Sequence, residues 1–162
     1  MRIFVISDTH FYHENMYHFT GLDGTRVRKD FQNAVEGDRA MIERWNATVT
    51  PEDHVWHLGD VTMGNNLSII KELNGHKRLI LGNHDRCDVR QYREAGFQKV
   101  QGYRFCDRWA IMSHIPLHPE SLGKGRINIH GHIHERPAFG PQYRNVCVEQ
   151  TNYTPVLLES LR

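Results

Sequence analysis

Residues 78–85 read Arg78-Leu79-Ile80-Leu81-Gly82-Asn83-His84-Asp85. A short apolar run ends here in a glycine and three polar residues, which is typical of a buried strand that runs into a turn. The polar side chains then lie at the carboxyl end of the strand, where open α/β sheets bind their ligands. This stretch therefore predicts an α/β fold and makes Asn83 and His84 candidate site residues.

Four other segments repeat this combination of aspartate or histidine with an apolar run or a glycine. They are Asp8-Thr9-His10, Gly59-Asp60, Ser113-His114 and Gly131-His132-Ile133-His134. Any one of them carries little weight, since a lone Gly-Asp pair after a strand is usually a turn. Five such segments in one short chain, most of them at a predicted strand end, are hard to explain as packing.

The residue types in these segments indicate metal binding. A carboxylate can bridge two cations, an amide oxygen is a neutral hard donor, and imidazole suits manganese, iron, nickel and zinc. In His132-Ile133-His134 the spacing lets both imidazoles point to the same side of an extended segment. A metal-dependent hydrolase is therefore the leading prediction from these residue types alone.

The size and charge of the chain limit its partners. Its 162 residues fit a single domain, residues 1–162, that can bury a substantial core. Twenty Lys and Arg against nineteen Asp and Glu leave a net charge of +1, so no overall field draws the protein to nucleic acid. Cys87, Cys106 and Cys147 lack the spacing of a zinc finger or a disulfide framework. Reduced cysteines predict a cytoplasmic protein.

The apolar stretch at the start of the chain, Met1–Ile6, is too short for the core of a signal peptide. No other run approaches the roughly 18 apolar residues that cross a bilayer. We therefore expect a soluble protein that is not exported and has no membrane partner.

The apolar periodicity predicts strand–helix units first and mostly strands after Gly96. The predicted strands are Ile3–Ile6, His54–Leu58, Arg78–Leu81, Phe97–Arg104, Arg108–Ser113, Arg126–His130, Asn145–Glu149 and Pro155–Leu158. The predicted helices are Gln32–Val49, Leu67–Leu73 and Val89–Ala95. Residues 11–33 are expected to form a long loop over one edge. This order suggests mixed sheets with helices outside them, in two or more layers.

Taken as a set, the five polar segments resemble the signature of calcineurin-like metallophosphoesterases. The resemblance runs from Asp8 to His134 and continues to Asn145-Val146-Cys147-Val148-Glu149, so it covers nearly the whole chain. Phe11-Tyr12-His13-Glu14-Asn15 and Trp45-Asn46 are more similar to the small bacterial and phage members than to the eukaryotic protein phosphatases.

The resemblance implies a four-layer α/β/β/α sandwich, with two mixed sheets between outer helices, and a centre that holds two divalent metal ions. One metal would take Asp8, His10 and His134, the other would take Asn83, His114 and His132, and Asp60 would bridge the two. Manganese is the preferred metal, with iron, nickel, cobalt or zinc as alternatives. A hydroxide that bridges the metals would attack the phosphate ester. His84, which is not a ligand in this family, would act as the acid for the leaving group or donate a hydrogen bond to the phosphoryl oxygens.

The segment after Gly59-Asp60 departs from the protein phosphatases, because it lacks the arginine that those enzymes carry at the matching position. Together with the retained His84 and the absence of a visible cap domain, this favours a phosphodiesterase that acts on a small phosphate ester. A phosphomonoesterase or a nuclease on the same centre stays open. A non-catalytic metal-binding scaffold is least favoured, because every expected ligand is present. The natural substrate and the oligomeric state are left open.

Several other polar residues near these segments allow two interpretations. His13 either touches the substrate or lies behind the metal ligands, or it is a loop histidine in solvent. Arg26, Arg28 and Lys29 form a basic cluster that could meet a second phosphate or a nucleic acid backbone, although we favour a solvated surface. Asp85 directly follows His84, but adjacent side chains often point apart, so it is left out of the site.

Overall fold

The structure is a computed structural model and describes all residues from 1 to 162. Nine strands form two sheets: β1 (Ile3–Ile6), β2 (His54–His57), β3 (His76–Ile80), β4 (Phe97–Gln101), β5 (Tyr103–Cys106), β6 (Ala110–Ser113), β7 (Ile127–His130), β8 (Tyr143–Asn145) and β9 (Val156–Leu157). The α-helices are α1 (Ala34–Thr48), α2 (Val89–Ala95) and α3 (Pro119–Leu122). Three 3-10 helices cover Glu14–Tyr17, Ser68–Glu72 and Leu158–Leu161.

Both sheets are mixed. The first has the order β4-β3-β2-β1-β9, in which β1 to β4 run parallel and β9 is antiparallel to β1. The second has the order β5-β6-β7-β8, in which β5 is antiparallel and the other three strands are parallel. Parallel strands bring their carboxyl ends to one edge of a sheet, so β1, β2 and β3 end together, and so do β6 and β7.

Three apolar clusters separate four layers. The alternation of side chains along each strand sends one set towards the helices and the other towards the second sheet. The cluster between the first sheet and its helices contains Phe4, Val55, Leu79, Met41 and Trp45. The cluster between the sheets contains Val5, Trp56, Ile80, Met112 and Ile129. The small outer cluster on the second sheet contains Ile111, Leu122 and Tyr143. The predicted four-layer α/β/β/α sandwich is therefore confirmed, with a thin outer layer on the second sheet.

The local sequence of helix α1 explains where the helix begins and which face it buries. Asn33 caps it by accepting a hydrogen bond from the Glu36 backbone N–H at 3.0 Å. Met41 and Trp45 face the core, and the Trp45 indole N–H donates to the Asn74 carbonyl at 3.0 Å. The predicted helix is confirmed to within two residues at each end.

Three predicted elements differ in the structure. The single strand expected over Phe97–Arg104 breaks at Gly102, so its two halves, β4 and β5, belong to different sheets. The strand expected over Asn145–Glu149 is wrong, because β8 ends at Asn145 and the chain then crosses to the first sheet, where Cys147 forms an isolated bridge with Ser7. The helix expected over Leu67–Leu73 is the 3-10 helix Ser68–Glu72. Periodicity indicates where apolar residues recur along the chain, but it does not indicate which sheet a segment joins.

Two further expectations concern the cysteines and the membrane. All three cysteines are free and buried, in agreement with the absence of a disulfide framework. The longest helix, α1, has 15 residues, and no helix combines the length and apolar character that a bilayer crossing requires. The single domain and the cytoplasmic location stay predictions.

Candidate metal centre

The structure brings all eight predicted site residues to one place. They follow the carboxyl ends of β1, β2, β3, β6 and β7, which meet where the two sheets face each other. The residues are Asp8, His10, Asp60, Asn83, His84, His114, His132 and His134. Two groups among them have ligand atoms close enough to share one ion, namely Asp8 with His10 and His134, and Asp8 with Asp60 and His114.

Asp8 is buried, and its two carboxylate oxygens have different surroundings. Oδ2 accepts hydrogen bonds from Ser7 Oγ at 2.5 Å, the His132 backbone N–H at 2.9 Å and Cys147 Sγ at 3.3 Å. Oδ1 has no hydrogen-bond partner and lies 3.8 Å from His10 Nε2 and 3.7 Å from His134 Nε2. A buried carboxylate oxygen that faces two imidazole nitrogens beyond hydrogen-bond distance leaves room for a shared cation.

The two carboxylate oxygens of Asp60 also have different surroundings. Oδ1 accepts a hydrogen bond from the His84 backbone N–H at 2.8 Å. Oδ2 lies 3.5 Å from His10 Nε2 on one side and 3.4 Å from His114 Nε2 on the other. One oxygen of Asp60 therefore stands between two groups of histidines.

The second group gathers around the amide oxygen of Asn83. Asn83 Oδ1 lies 2.8 Å from His114 Nε2 and 2.9 Å from His132 Nδ1. His114 Nδ1 lies 2.8 Å from the Leu58 carbonyl, which fixes the ring so that Nε2 faces Asn83 and Asp60. The imidazoles, the amide and the carboxylate converge on one point beside the first group.

The backbone at these residues is unusual. Asp8, His10, Asp60, His132 and His134 all have positive φ, with values of 59°, 46°, 57°, 71° and 49°. A side-chain-bearing residue in this region costs about 1 kcal/mol and is kept only where the surroundings hold it there. Five of the seven candidate ligands share this conformation. The backbone strain lowers the stability of the folded protein, and in return it fixes the directions of these side chains.

The charges of the site attract positive charge. Burial alone would lower the pKa of His114, but its hydrogen bond to Asp60 and the charges of Asp8 and Asp60 raise it to about 9. Burial alone would raise the pKa of Asp8, but the neighbouring histidines, His10 first, hold it well below its usual range. The two buried carboxylates therefore concentrate negative charge at this site, which favours the binding of cations.

Comparison with known proteins agrees with this geometry. The model of the calcineurin-like phosphoesterase superfamily domain matches residues 1–150. The chain belongs to the calcineurin-like phosphoesterase superfamily. Its members are metal-dependent phosphoesterases, so the predicted family and hydrolase class are confirmed.

The relatives of this calcineurin-like phosphoesterase say little about its substrate. An uncharacterized protein of Methanocaldococcus jannaschii is 32% identical over 172 residues, covering 98% of this chain and 88% of that protein. A crystal structure of a protein of unknown function from Aquifex aeolicus is 26% identical with a TM-score of 0.74, covering 99% of this chain and 97% of that one. A nuclease from Pseudomonas putida shares the fold, with a TM-score of 0.52 and 18% identity over 82% of this chain and 62% of its own.

His84 lies beside the candidate metal centre and is exposed. Its ring centroid is 5.6 Å from that of His10. Both rings line a cavity of about 560 Å³ together with His132, His134 and the loop 11–33. His84 therefore faces the same open space as the candidate ligands while its side chain stays outside their two groups.

The loop 11–33 forms the far wall of this cavity. His13 is half-buried there, with its ring centroid 5.7 Å from that of His10. Burial lowers the pKa of His13. Phe19 lies edge-on to His13 and lines the same wall. His13 thus belongs to the edge of the site and is not a free surface histidine.

The expectation of a solvated surface at Arg28 is wrong. Arg28 is completely buried and donates to the backbone carbonyls of Asp8 at 2.6 Å and Thr9 at 2.8 Å. Its Nε forms an ion pair with the buried Glu149 at 2.9 Å. Glu149 in turn lies 3.3 Å from His134 Nδ1. Arg28 and Glu149 are 121 residues apart in the chain, so no local pattern reveals the pair.

Asp85 also has a role that the sequence did not show. Its carboxylate accepts hydrogen bonds from the backbone N–H groups of Asp60 at 2.8 Å, Val61 at 3.0 Å and Gly82 at 2.8 Å. It therefore ties the turn after β2 to the turn after β3 and fixes the position of Asp60. Asp85 is therefore a positioning residue for Asp60 and not one of the candidate ligands.

Replacing Glu149 by glutamine is expected to lower the free energy of unfolding by about 3 kcal/mol, because it leaves the buried Arg28 without its counter-charge. The loss of a carboxylate behind His134 should also weaken Mn²⁺ binding by about tenfold. Chemical denaturation and metal titration measure the two effects. Glu94→Gln is the matched control, since the exposed Arg90–Glu94 pair should contribute less than about 1 kcal/mol. Equal stability of the two variants would contradict the role of the buried pair.

Replacing Gly131 by alanine is expected to displace Asp8. A Cβ at residue 131 would collide with Ser7 Oγ and with the Asp8 carboxylate, both of which are held by further contacts. We expect phosphoesterase activity to fall by about tenfold or more, because small displacements of catalytic groups are costly. Gly140→Ala is the control, as its Cβ meets only the flexible end of Gln142. Wild-type activity in Gly131→Ala would show that the site tolerates a moved Asp8.

Proposed function

We propose that this protein is a phosphodiesterase that hydrolyses a small phosphate ester at a centre of two divalent cations. One cation would be held by Asp8, His10 and His134, the other by Asn83, His114 and His132, with Asp60 shared between them. The observation that carries the proposal is the position of Asp60 Oδ2, 3.5 Å from a histidine of the first group and 3.4 Å from one of the second.

The donor atoms fit such cations. They are imidazole nitrogens, carboxylate oxygens and one amide oxygen, a mixture that suits first-row divalent metals and, with its hard oxygen donors, manganese. Asp8 Oδ1 and both ring nitrogens of His10 are buried without hydrogen-bond partners, so ligand atoms are left for an ion. When bound, two such cations stabilise negative charge on the phosphoryl oxygens and acidify the attacking water.

The chain's own residues would do the remaining work. His84 stands at the mouth of the centre, where a protonated ring nitrogen can give its proton to the leaving alkoxide. Its backbone N–H is fixed by Asp60, which sets the distance between the histidine and the shared carboxylate. Asp85 and Glu149 hold Asp60 and His134 in place. Because the imidazole of His84 is exposed, it can exchange protons with solvent between turnovers.

A diester is preferred over a monoester because His84 is retained and the candidate ligands line two cavities, one with the loop 11–33 and one with β5 and β6. A nuclease is the same chemistry on a polymer, and the fold shared with the Pseudomonas putida nuclease makes it a second arm of the test. A non-catalytic scaffold is disfavoured because the seven candidate ligands and His84 converge.

The test begins with protein that has been stripped of metal by a chelator and reloaded with Mn²⁺, Ni²⁺, Co²⁺ or Fe²⁺. Bis(p-nitrophenyl) phosphate should be hydrolysed faster than p-nitrophenyl phosphate, and mass spectrometry under native conditions should find two ions in each chain. Single-stranded and duplex DNA serve as polymer substrates in the same assay. No turnover of either aryl ester with any of the four metals would defeat the proposal.

A further inference from the structure

A second cavity adjoins the candidate metal centre on the side away from the loop 11–33. It has a volume of about 540 Å³, within the range of small-molecule sites. Asn83 and His114, two of the candidate ligands, line one end of it. Its other lining residues are unlike those of the centre, since none is Lys, Arg, Asp or Glu.

The cavity follows the outer face of β5 and β6. Tyr103 pairs with Ser113, the residue before His114, and Phe105 pairs with Ile111 two residues further along. Side chains two apart in a strand share a face, so Tyr103 and Phe105 form one wall that leads away from His114. Two residues of strand span about 7 Å. The wall therefore extends from beside a candidate ligand to a point well beyond it.

This wall is aromatic and open to solvent. Tyr103 is 58% exposed and Phe105 is 47% exposed, and their ring centroids are 5.6 Å apart in an edge-to-face arrangement. Ile115, 51% exposed, lines the same cavity. A grouping of large apolar side chains left exposed beside a reactive centre marks a binding surface for an apolar, flat group.

Each of the two cavities can hold one of the two substituents of a phosphodiester. His84 lines the cavity of the loop 11–33, so the leaving group belongs there, and the substituent that stays on phosphorus belongs in the cavity of β5 and β6. We propose that this retained substituent is a nucleoside, whose base lies against Tyr103 and Phe105. The inference rests on the proposed phosphodiesterase function and names its substrate class.

A nucleoside matches the cavity in charge, shape and reach. No Lys, Arg, Asp or Glu lines the cavity, so a neutral substituent is favoured over a second phosphate or a carboxylate. Arg126 lies outside the lining, where its guanidinium carbon is 5.6 Å from the Phe105 ring centroid and the group donates to the Leu122 carbonyl at 3.2 Å. Bases stack on aromatic side chains whatever their identity, which suits an exposed pair of rings. A pentose bridges the distance between the phosphorus and the base, as the offset of Phe105 from His114 requires.

The test compares two diesters with the same leaving group, thymidine 5′-(p-nitrophenyl phosphate) and methyl p-nitrophenyl phosphate, on the Mn²⁺-loaded protein. We expect kcat/KM to be about tenfold or more higher for the thymidine ester, mainly through KM, because one stacked base contributes that factor. The double variant Tyr103→Ala/Phe105→Ala should reduce this ratio to about two. Phe139→Ala removes an exposed aromatic ring outside the cavity and should keep the wild-type ratio.

Two results would overturn the inference while leaving the phosphodiesterase intact. The first is a ratio near one for the wild type, and the second is an unchanged ratio in the double variant. In the second case, a change in the sedimentation of the double variant would make the aromatic wall a subunit interface. If the double variant does not fold, Phe105→Ala and Tyr103→Leu are measured separately.

A failure of the proposed function is recognised separately. If the wild type hydrolyses no diester, calorimetric titration with thymidine 5′-phosphate and with methyl phosphate still tests the cavity. Binding of the thymidine compound about tenfold more tightly, lost in the double variant, would support the nucleoside site. Equal binding of the two phosphates would overturn it.

Discussion

Replacing Asp60 by asparagine is expected to lower the proposed phosphodiesterase activity by at least about 10³-fold and to reduce the metal content below the proposed two ions per chain. The Oδ2 atom of Asp60 lies within 3.5 Å of histidines from both groups, so the change removes the negative charge that both cation positions share. The asparagine keeps the shape of the side chain, and its oxygen can still accept the hydrogen bond from the His84 backbone N–H. Activity against bis(p-nitrophenyl) phosphate and elemental analysis of the purified variant measure the two effects.

The matched control is Asp38→Asn. Asp38 is buried like Asp60 and accepts a hydrogen bond from the Tyr12 backbone N–H, but it lies outside both groups of candidate ligands. Burial raises the pKa of Asp38 to about 6, so its neutral replacement should be tolerated. If Asp60→Asn kept two ions and full activity while folding normally, the two-cation assignment would be wrong.

Replacing His84 by alanine is expected to slow hydrolysis by about 10²–10⁴-fold for diesters with an alkoxide leaving group. The reason is that a poor leaving group needs a proton as its bond to phosphorus breaks. A p-nitrophenolate leaves without one, so the loss for an aryl diester should be at least about tenfold smaller. The comparison of kcat for a dialkyl-type substrate, such as a dinucleotide, with kcat for the aryl diester measures this difference.

The metal content of His84→Ala distinguishes an acid from a ligand. Since the side chain of His84 lies outside both candidate ligand groups, the variant should bind as many ions as the wild type. His118→Ala, at an exposed histidine next to α3, is the control for the loss of an imidazole. A rate loss that is the same for aryl and alkyl leaving groups would exclude the role of general acid and leave hydrogen bonding to the phosphoryl oxygens.

The position of the site was predictable because its signals are local. Asp8, Asp60, Asn83 and His114 each come within three residues of the end of a strand, and parallel strands bring such positions together. The short apolar runs that mark β1, β2 and β3 can be read from five or six residues. These four candidate ligands can therefore be read from local sequence, whereas His10 and His134 lie four residues beyond β1 and β7 and are assigned to a metal by the resemblance to the family.

The residues that support the candidate ligands were not predictable, because their contacts join positions far apart in the chain. The interpretation of Arg28 as a surface residue followed from its charge and its polar neighbours, and it was overturned by a carboxylate 121 positions away. The positioning role of Asp85 depends on the N–H groups of Asp60 and Val61, which are 25 and 24 positions away and meet its carboxylate only in the folded protein. Contacts of this kind have no periodicity and leave no trace in the local pattern.

The sequence alone determined the α/β class, the order of the strand ends and the chemistry of the side chains placed there, because these depend on alternation, turns and residue type within a few positions. Only the tertiary structure decided that Asp60 lies between two groups of histidines and that Arg28 and Glu149 support His134. It also placed the aromatic wall of Tyr103 and Phe105 beside His114. The reason is geometric: a chain's local pattern fixes which way a side chain leaves its own strand, while the packing of two sheets fixes what that side chain meets.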